Sequence, residues 1–202
     1  MKIVVLGATG ATGRLVITRA LASQHAVTAV VRSNGHEPFP AEVNVVRADV
    51  TDPTSLAAAV EGADAVIGTL GATKGPLIEQ STAALLAAAA AGGPRRVVVL
   101  SGYSVLTDRL TRPARLMATT AMKAMSVDKL AGEDLMRASD ADWTIVHATR
   151  LTNGPATGKV RELGDDQRIG LRNSISRPDV AEFLVRAVSD PALSRRAVAI
   201  AA

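Results

Sequence analysis

The segment that most constrains this chain is its first turn. A short apolar run, Ile3-Val4-Val5-Leu6, passes directly into Gly7-Ala8-Thr9-Gly10-Ala11-Thr12-Gly13 and then into a helical pattern. The spacing is G-x-x-G-x-x-G between a strand and a helix, the context in which such a turn holds a dinucleotide. Gly7 permits the tight turn. Gly10 lets backbone approach a pyrophosphate, and Gly13 lets the helix pack close to the strand. Thr9, Ala11 and Thr12 lie between these glycines, so the amides of the helix start and the helix dipole face the phosphates. A turn without a ligand would have little need of three glycines, each of which costs backbone entropy.

The rest of the chain supports a fold around that turn. Short Val- and Ile-rich runs bounded by turn residues read as strands at 3–6, 26–31, 43–47, 65–68, 97–101, 143–147 and 197–201. Helical patterns lie between them at 11–23, 54–60, 76–91 and 178–189, and most of 107–138 reads as helix interrupted at Pro113. Asp52-Pro53 marks a helix start, and Gly92-Gly93-Pro94 marks a helix stop. Strands alternating with helices imply right-handed crossovers, and continuously apolar strands imply a sheet covered on both faces. The expected fold is therefore α/β, a Rossmann-like doubly wound and mostly parallel sheet. With 202 residues and no linker or repeat, the chain is expected to form one NAD(P)-binding domain over 1–202. The segment 148–177 is polar, loop-rich and weakly patterned, and is the expected substrate side.

The strand ends refine the cofactor. An NAD site usually places Asp or Glu after the second strand, for the ribose hydroxyls. Here Arg32 follows Val30-Val31, with Ser33-Asn34 after it. Beside the glycine turn, a guanidinium suits the 2′-phosphate of NADP better than it suits an idle loop charge. Arg14, in the first helical turn, is a second candidate from the other side. NADP(H) is expected in preference to NAD(H). After the third strand, Asp49 either accepts from the adenine amino group or caps its own loop, with Val50 beside it. After the fourth, Thr69-Leu70-Gly71 is either an ordinary turn or small backbone against the nicotinamide half.

Composition excludes several classes. There is no cysteine, which removes disulfides, thiolate metal sites and cysteine nucleophiles. The histidines, His25, His36 and His147, are not spaced as metal ligands on a helix, and no metal is expected. The net charge is +4 and the pI about 10.0, but aromatics are only 2% and no basic run exceeds Arg95-Arg96 or Arg195-Arg196. Stacking platforms for nucleic acid are thus lacking. The basic excess over 95–137 is either solvated helix surface or a positive rim for an anionic ligand. The first apolar run is too short for a secretory signal, and the alanine run 83–91 is too short to span a bilayer. A soluble, cytoplasmic protein with a small-molecule substrate is expected.

These residues together resemble the atypical short-chain dehydrogenase/reductases, in the NmrA-like and NAD(P)H-binding group that includes flavin reductase/biliverdin-IXβ reductase. The resemblance spans nearly the whole chain. It rests on GATGATG at 7–13, VR at 31–32, ADV at 48–50, Ser101, KLAGEDLMRASDADWTIV at 129–146 and RLTNGPATG at 150–158. Active relatives use a Ser, a Tyr and a Lys four residues after the Tyr. The Tyr transfers the proton, the Lys lowers the Tyr pKa and holds the ribose, and the Ser orients the substrate carbonyl. By that resemblance Ser101 and Lys129 are the catalytic and cofactor-side residues, and Glu133 also matches. The Tyr position is Met125, whose thioether donates no proton. Tyr103, the sole tyrosine, lies two residues after Ser101 and outside the motif.

Met122, Met125 and Lys129 share one helix face. The two methionines are either plain core or a soft apolar wall for a flat ring. Where the flavin reductases carry a His after the sixth strand, this chain has Arg150, which is either a ligand for an anionic substrate or cofactor phosphate, or half of a structural ion pair. Tyr103, Met122, Met125 and Arg150 are the expected substrate pocket. The leading expectation is an NADPH-dependent reductase passing hydride to a flavin- or quinone-like ring that needs no bound acid. The alternative is a non-catalytic NADP(H)-binding redox sensor, with a protein partner. A nucleotide-sugar epimerase is disfavoured by the missing Tyr and the short C-terminal part.

Overall fold

The computed structural model describes residues 1–32, 39–71 and 75–202, so Ser33 and Asn34 of the expected cofactor-side loop lie outside it. The first strand, β1 (Lys2–Leu6), leads into α1 (Ala11–Ala22) and β2 (Ala26–Val31). Then come β3 (Asn44–Arg47), α2 (Pro53–Ala59), β4 (Ala65–Gly68), α3 (Leu77–Ala90) and β5 (Arg96–Gly102). The second half comprises α4 (Arg112–Thr119), α5 (Lys123–Ala138), β6 (Asp142–Ala148), β7 (Arg150–Thr152), β8 (Arg161–Leu163), β9 (Ser174–Ser176), α6 (Arg177–Ser189) and β10 (Arg196–Ala201).

The main sheet runs β3-β2-β1-β4-β5-β6-β10-β8. Its first seven strands are parallel, and β8 joins β10 antiparallel at the edge. The chain therefore winds one way from β1 and then returns past it to β4. That reversal opens a crevice at the carboxyl ends of β1 and β4, where ligands of open α/β sheets bind.

The side-chain period of two explains the two covered faces. Ile3 and Val5 point into a core shared with Val16 and Ile17 of α1 and Phe183 and Leu184 of α6. Val4 and Leu6 point the other way, onto Leu56 of α2, Leu85 of α3 and Met136 of α5. A third cluster joins Tyr103, Leu110 and Ala114 to Ile169 and Ala199, and packs α4 and the C-terminal segment together.

Local signals act as the residue types dictate. Asp52 caps α2 through the amides of Thr54 and Ser55, with Pro53 in the first turn. The start of α3 has no cap of its own, and Asp128 of α5 supplies one, accepting from the amides of Ile78 and Glu79 at 3.0–3.1 Å. That bond ties α5, which carries Lys129 and Glu133, to α3.

One expectation is corrected and a second is refined. Pro113 does not interrupt a helix; it sits in the first turn of α4, where its missing N–H costs nothing. The break falls instead between α4 and α5, where Thr120 leaves helical geometry with φ −115° and ψ −86°. The segment 148–177 is not only loop. It carries β7 and β9, paired in parallel, and the edge strand β8. At three residues each, these strands are too short for an alternation signal. Buried Asp179, in the first turn of α6, holds the 153–158 loop by accepting from the amides of Thr157 and Gly158 and from the Thr157 hydroxyl. Those bonds and one from Ser176 outweigh the upward push of burial and keep its carboxyl below the ordinary range.

Candidate active site

The glycine turn is built tightly enough that side chains are excluded from it. Gly7 has φ +78°, and a Cβ there would lie 2.9 Å from the Thr69 backbone. A Cβ on Gly13 would lie 2.2 Å from the Gly7 carbonyl oxygen, so α1 approaches β1 only because Gly13 has none. Thr69 donates its hydroxyl to the carbonyls of Leu6 and Gly7 at 3.0 and 3.3 Å and so locks the turn against the end of β4. At Gly10 no side-chain bond caps α1, and its first turn holds no acid. Its opening amides and dipole are therefore directed at whatever occupies the crevice.

A groove runs over the strand ends. Near β2 and β3, Arg32 and Asp49 line one hollow. The next, about 470 Å³, is lined by Gly7, Thr9, Gly10, Arg32 and Val50 and continues to Thr69, Leu70 and Gly71. The last, about 600 Å³, begins at Gly10, Ala11 and Thr12, shares Thr69, Leu70 and Gly71, and ends at Tyr103, Met122, Met125, Lys129 and Arg150. Of the sequence-predicted site residues, all but Gly13 and Arg14 line this one groove, with Ser101 at the base of its last part. Gly13 is buried beneath the turn, and Arg14 donates to the Thr9 carbonyl and lies over the Phe39 ring. Met117, Thr149 and Arg177 also line it and carried no motif in the sequence. An elongated groove with an uncapped helix start and a glycine cradle at its middle can hold a dinucleotide. Asp49 is engaged in its loop, accepting from the amide and hydroxyl of Thr51, and these bonds hold its carboxyl below the ordinary range.

Behind the groove lies a buried polar cluster. The Ser101 hydroxyl donates to Glu133 Oε1 at 2.6 Å. His147 Nε2 lies 3.0 Å from both Glu133 oxygens, and Arg137 donates to Oε2 at 2.7 Å. Burial pushes the Glu133 carboxyl up, but its bonds with His147, Ser101 and Arg137 outweigh that and hold it below the ordinary range. Glu133 is therefore a carboxylate near neutral pH and can only accept. The single hydroxyl proton of Ser101 is spent inward, and toward the groove Ser101 offers lone pairs. This differs from the role implied by resemblance, in which the Ser donates to a substrate carbonyl. Only the match of Glu133 to the family pattern signalled this cluster in sequence. His147 arrives from β6 by sheet register, opposite Ser101.

Lys129 stands one helical turn before Glu133 and is 8% exposed. Burial lowers its pKa, and the carboxylates of Glu133 and Asp128 partly offset that. Its ammonium meets the Leu100 carbonyl at 3.4 Å, a long bond that leaves its other protons for a ligand in the groove. Tyr103 is 6% exposed, and its hydroxyl makes no hydrogen bond among the described residues. Burial raises its pKa, partly offset by the positive charge of Arg150, so it keeps its proton at neutral pH. Among the described residues no cluster of His, Cys, Asp and Glu could hold a metal ion, and no helix is long and apolar enough to cross a membrane.

Known proteins share this fold. Residues 7–191 match the model of the NAD(P)H-binding family. The chain is 30% identical over 201 residues to YhfK of Bacillus subtilis, described as an uncharacterized sugar epimerase, covering 98% of this chain and 92% of YhfK. Among solved structures it superposes on ChuY, an anaerobillin reductase from Escherichia coli O157:H7, with TM-score 0.82 and 22% identity, over 100% of this chain and 97% of the other. It also superposes on a short-chain dehydrogenase/reductase from Veillonella parvula in complex with NADP, with TM-score 0.81 and 18% identity, over 100% and 94% of the two chains.

Proposed function

The chain belongs to the NAD(P)H-binding family, and from that premise we propose that it is an NADPH-dependent reductase whose acceptor is a flavin- or quinone-like ring. One observation carries the choice of acceptor. Where the Ser-Tyr-Lys reductases have two proton donors facing the substrate, this chain has Met125 and a Ser101 hydroxyl already committed to Glu133. A simple ketone needs a proton on its oxygen as hydride arrives. An oxidised flavin or quinone is electrophilic without one, and water can protonate the reduced ring afterwards.

NADPH, when bound, supplies the hydride. The chain's own residues place and shield the reactants. The glycine turn and the start of α1 hold the pyrophosphate. Arg32 pairs with the 2′-phosphate, which sets NADPH above NADH. Lys129 holds the ribose hydroxyls on the nicotinamide side. Ser101 accepts from an amide N–H, the polarity its bond to Glu133 leaves open. Met122 and Met125 form a polarisable apolar wall against the acceptor ring and keep water off that face.

The same features also suit a non-catalytic NADP(H) sensor, since binding needs the groove but not turnover. The epimerase description of YhfK calls for a bound base or acid at the sugar carbon, and Met125 cannot serve as one. The reading is tested by NADPH consumption across a panel of flavins, quinones and simple ketones, run beside calorimetric titration of NADPH and NADP⁺. Turnover of flavins or quinones without ketones supports it. Tight binding with no turnover of any acceptor moves the protein to the sensor class.

A further inference from the structure

The acceptor end of the groove carries charge that the proposed chemistry does not require. Besides Lys129, which the cofactor reading uses, its charged lining residues are Arg150 and Arg177, and no Asp or Glu lines it. Arg19, Arg96, Arg109, Arg115, Arg137 and Arg196 each meet a carboxylate, whereas neither arginine at this end of the groove does among the described residues. Arg150 has no carboxylate partner among the described residues. Its backbone amide is held by the Asn173 carbonyl at 3.3 Å and its residue pairs with Ser174 in the short sheet, so its Cα is fixed at the groove while its guanidinium is exposed. Arg177 donates to Asn153 through one terminal nitrogen, which leaves the rest of its fork.

Two hydroxyls stand beside these cations without partners. Tyr103 lines the groove within electrostatic reach of Arg150, and its phenol makes no hydrogen bond among the described residues. Thr149, next to Arg150 and 1% exposed, has a buried Oγ1 with no hydrogen-bond partner. The buried Thr149 hydroxyl left unpaired is costly and calls for a partner such as a ligand or water. Met117, Met122 and Met125 line the same hollow. The pocket thus pairs an apolar wall with a fork of donors and no competing anion.

We propose that this end of the groove binds a planar ring bearing a carboxylate, with Arg150 as the charge partner and the Tyr103 hydroxyl as the orienting donor. The ring rests on the reductase reading above; the carboxylate does not. A guanidinium with a neighbouring O–H donor matches the two oxygens of a carboxylate. The Tyr103 proton is a binding donor here and not part of the redox step.

The test uses anthraquinone-2-carboxylate and anthraquinone-2-carboxamide, which match in ring and size and differ in charge. Each is titrated calorimetrically into full-length protein saturated with NADP⁺. The carboxylate is expected to bind at least about tenfold more tightly than the amide. Arg150→Gln should erase that preference while NADP⁺ affinity stays the same, Arg150→Lys should keep part of it, and Tyr103→Phe should reduce it severalfold. Equal binding of the two compounds, binding of neither, or loss of NADP⁺ affinity in Arg150→Gln with the preference intact would each overturn the proposal. The same compounds mixed with NADPH-loaded protein separate the two readings. Carboxylate preference without NADPH oxidation keeps the anion site and counts against the reductase reading. Reduction of both compounds alike does the reverse.

Discussion

The hydroxyl of Ser101 and the carboxylate of Glu133 are 2.6 Å apart, and the proton between them belongs to Ser101. Buried Glu133 brings together buried Ser101 of β5 and His147 of β6, and exposed Arg137 of α5 reaches its outer oxygen. The helix that carries Lys129 is thereby anchored to two adjacent strands, β5 and β6, at the edge of the groove. The cluster sets both the position of Lys129 and the polarity of Ser101.

Replacing Glu133 by Gln should destabilise the protein by about 1–3 kcal/mol at neutral pH, as expected when buried hydrogen-bonding groups lose a matching partner. It should also change the response to acid. The folded pKa of Glu133 lies below its ordinary value. Its contribution is therefore fully present above about pH 4.3, the unfolded value, and is lost as pH falls through the folded one. Urea unfolding across the acid range should show the wild type losing more stability than Glu133→Gln. Parallel curves would mean that the carboxylate contributes nothing through ionisation.

Gly13→Ala should disrupt the turn itself, because its Cβ would be placed 2.2 Å from the Gly7 carbonyl oxygen. The backbone must move, at a cost of roughly 1–3 kcal/mol for an overpacked site. A fall in melting temperature together with weaker NADPH binding is expected. Unchanged binding would show that the close approach of α1 to β1 is not needed by the ligand.

Arg32→Ala should weaken NADPH binding by about tenfold to a hundredfold, the value of a charge-assisted bond of roughly 1.5–3 kcal/mol. NADH binding should be nearly unchanged, since it has no 2′-phosphate. Calorimetric titration of both cofactors decides this, and equal losses for the two would place Arg32 elsewhere than at that phosphate.

Much of this architecture was legible in the sequence because its signals are local. The run into Gly7-Ala8-Thr9-Gly10 declares a strand, a turn and a helix within a few residues. Asp52-Pro53 likewise fixes the start of α2 without help from elsewhere. What stayed hidden is held by contacts distant in the chain. β7 exists because Arg150-Leu151-Thr152 pairs with Ser174-Ile175-Ser176, and three-residue strands have no periodicity to read. The Glu133–His147 bond joins residues 14 apart on a helix and a strand, and the register that puts His147 opposite Ser101 is a property of the assembled sheet. Pro113 misled for a related reason, since the same residue breaks a helix interior and suits a helix start.

The central claim is that bound NADPH is oxidised by an electrophilic ring with no proton from the protein. Single-turnover mixing of the NADPH-loaded protein with a flavin, a quinone or a simple ketone, followed by the absorbance of the reduced nicotinamide, tests it most directly. The flavin or quinone should oxidise bound NADPH faster than it oxidises the free cofactor in the same buffer, and the ketone should leave it intact. Ketone reduction at a comparable rate would contradict the account, since it would show that a groove-side donor, Tyr103 the first to suspect, delivers a proton in the redox step.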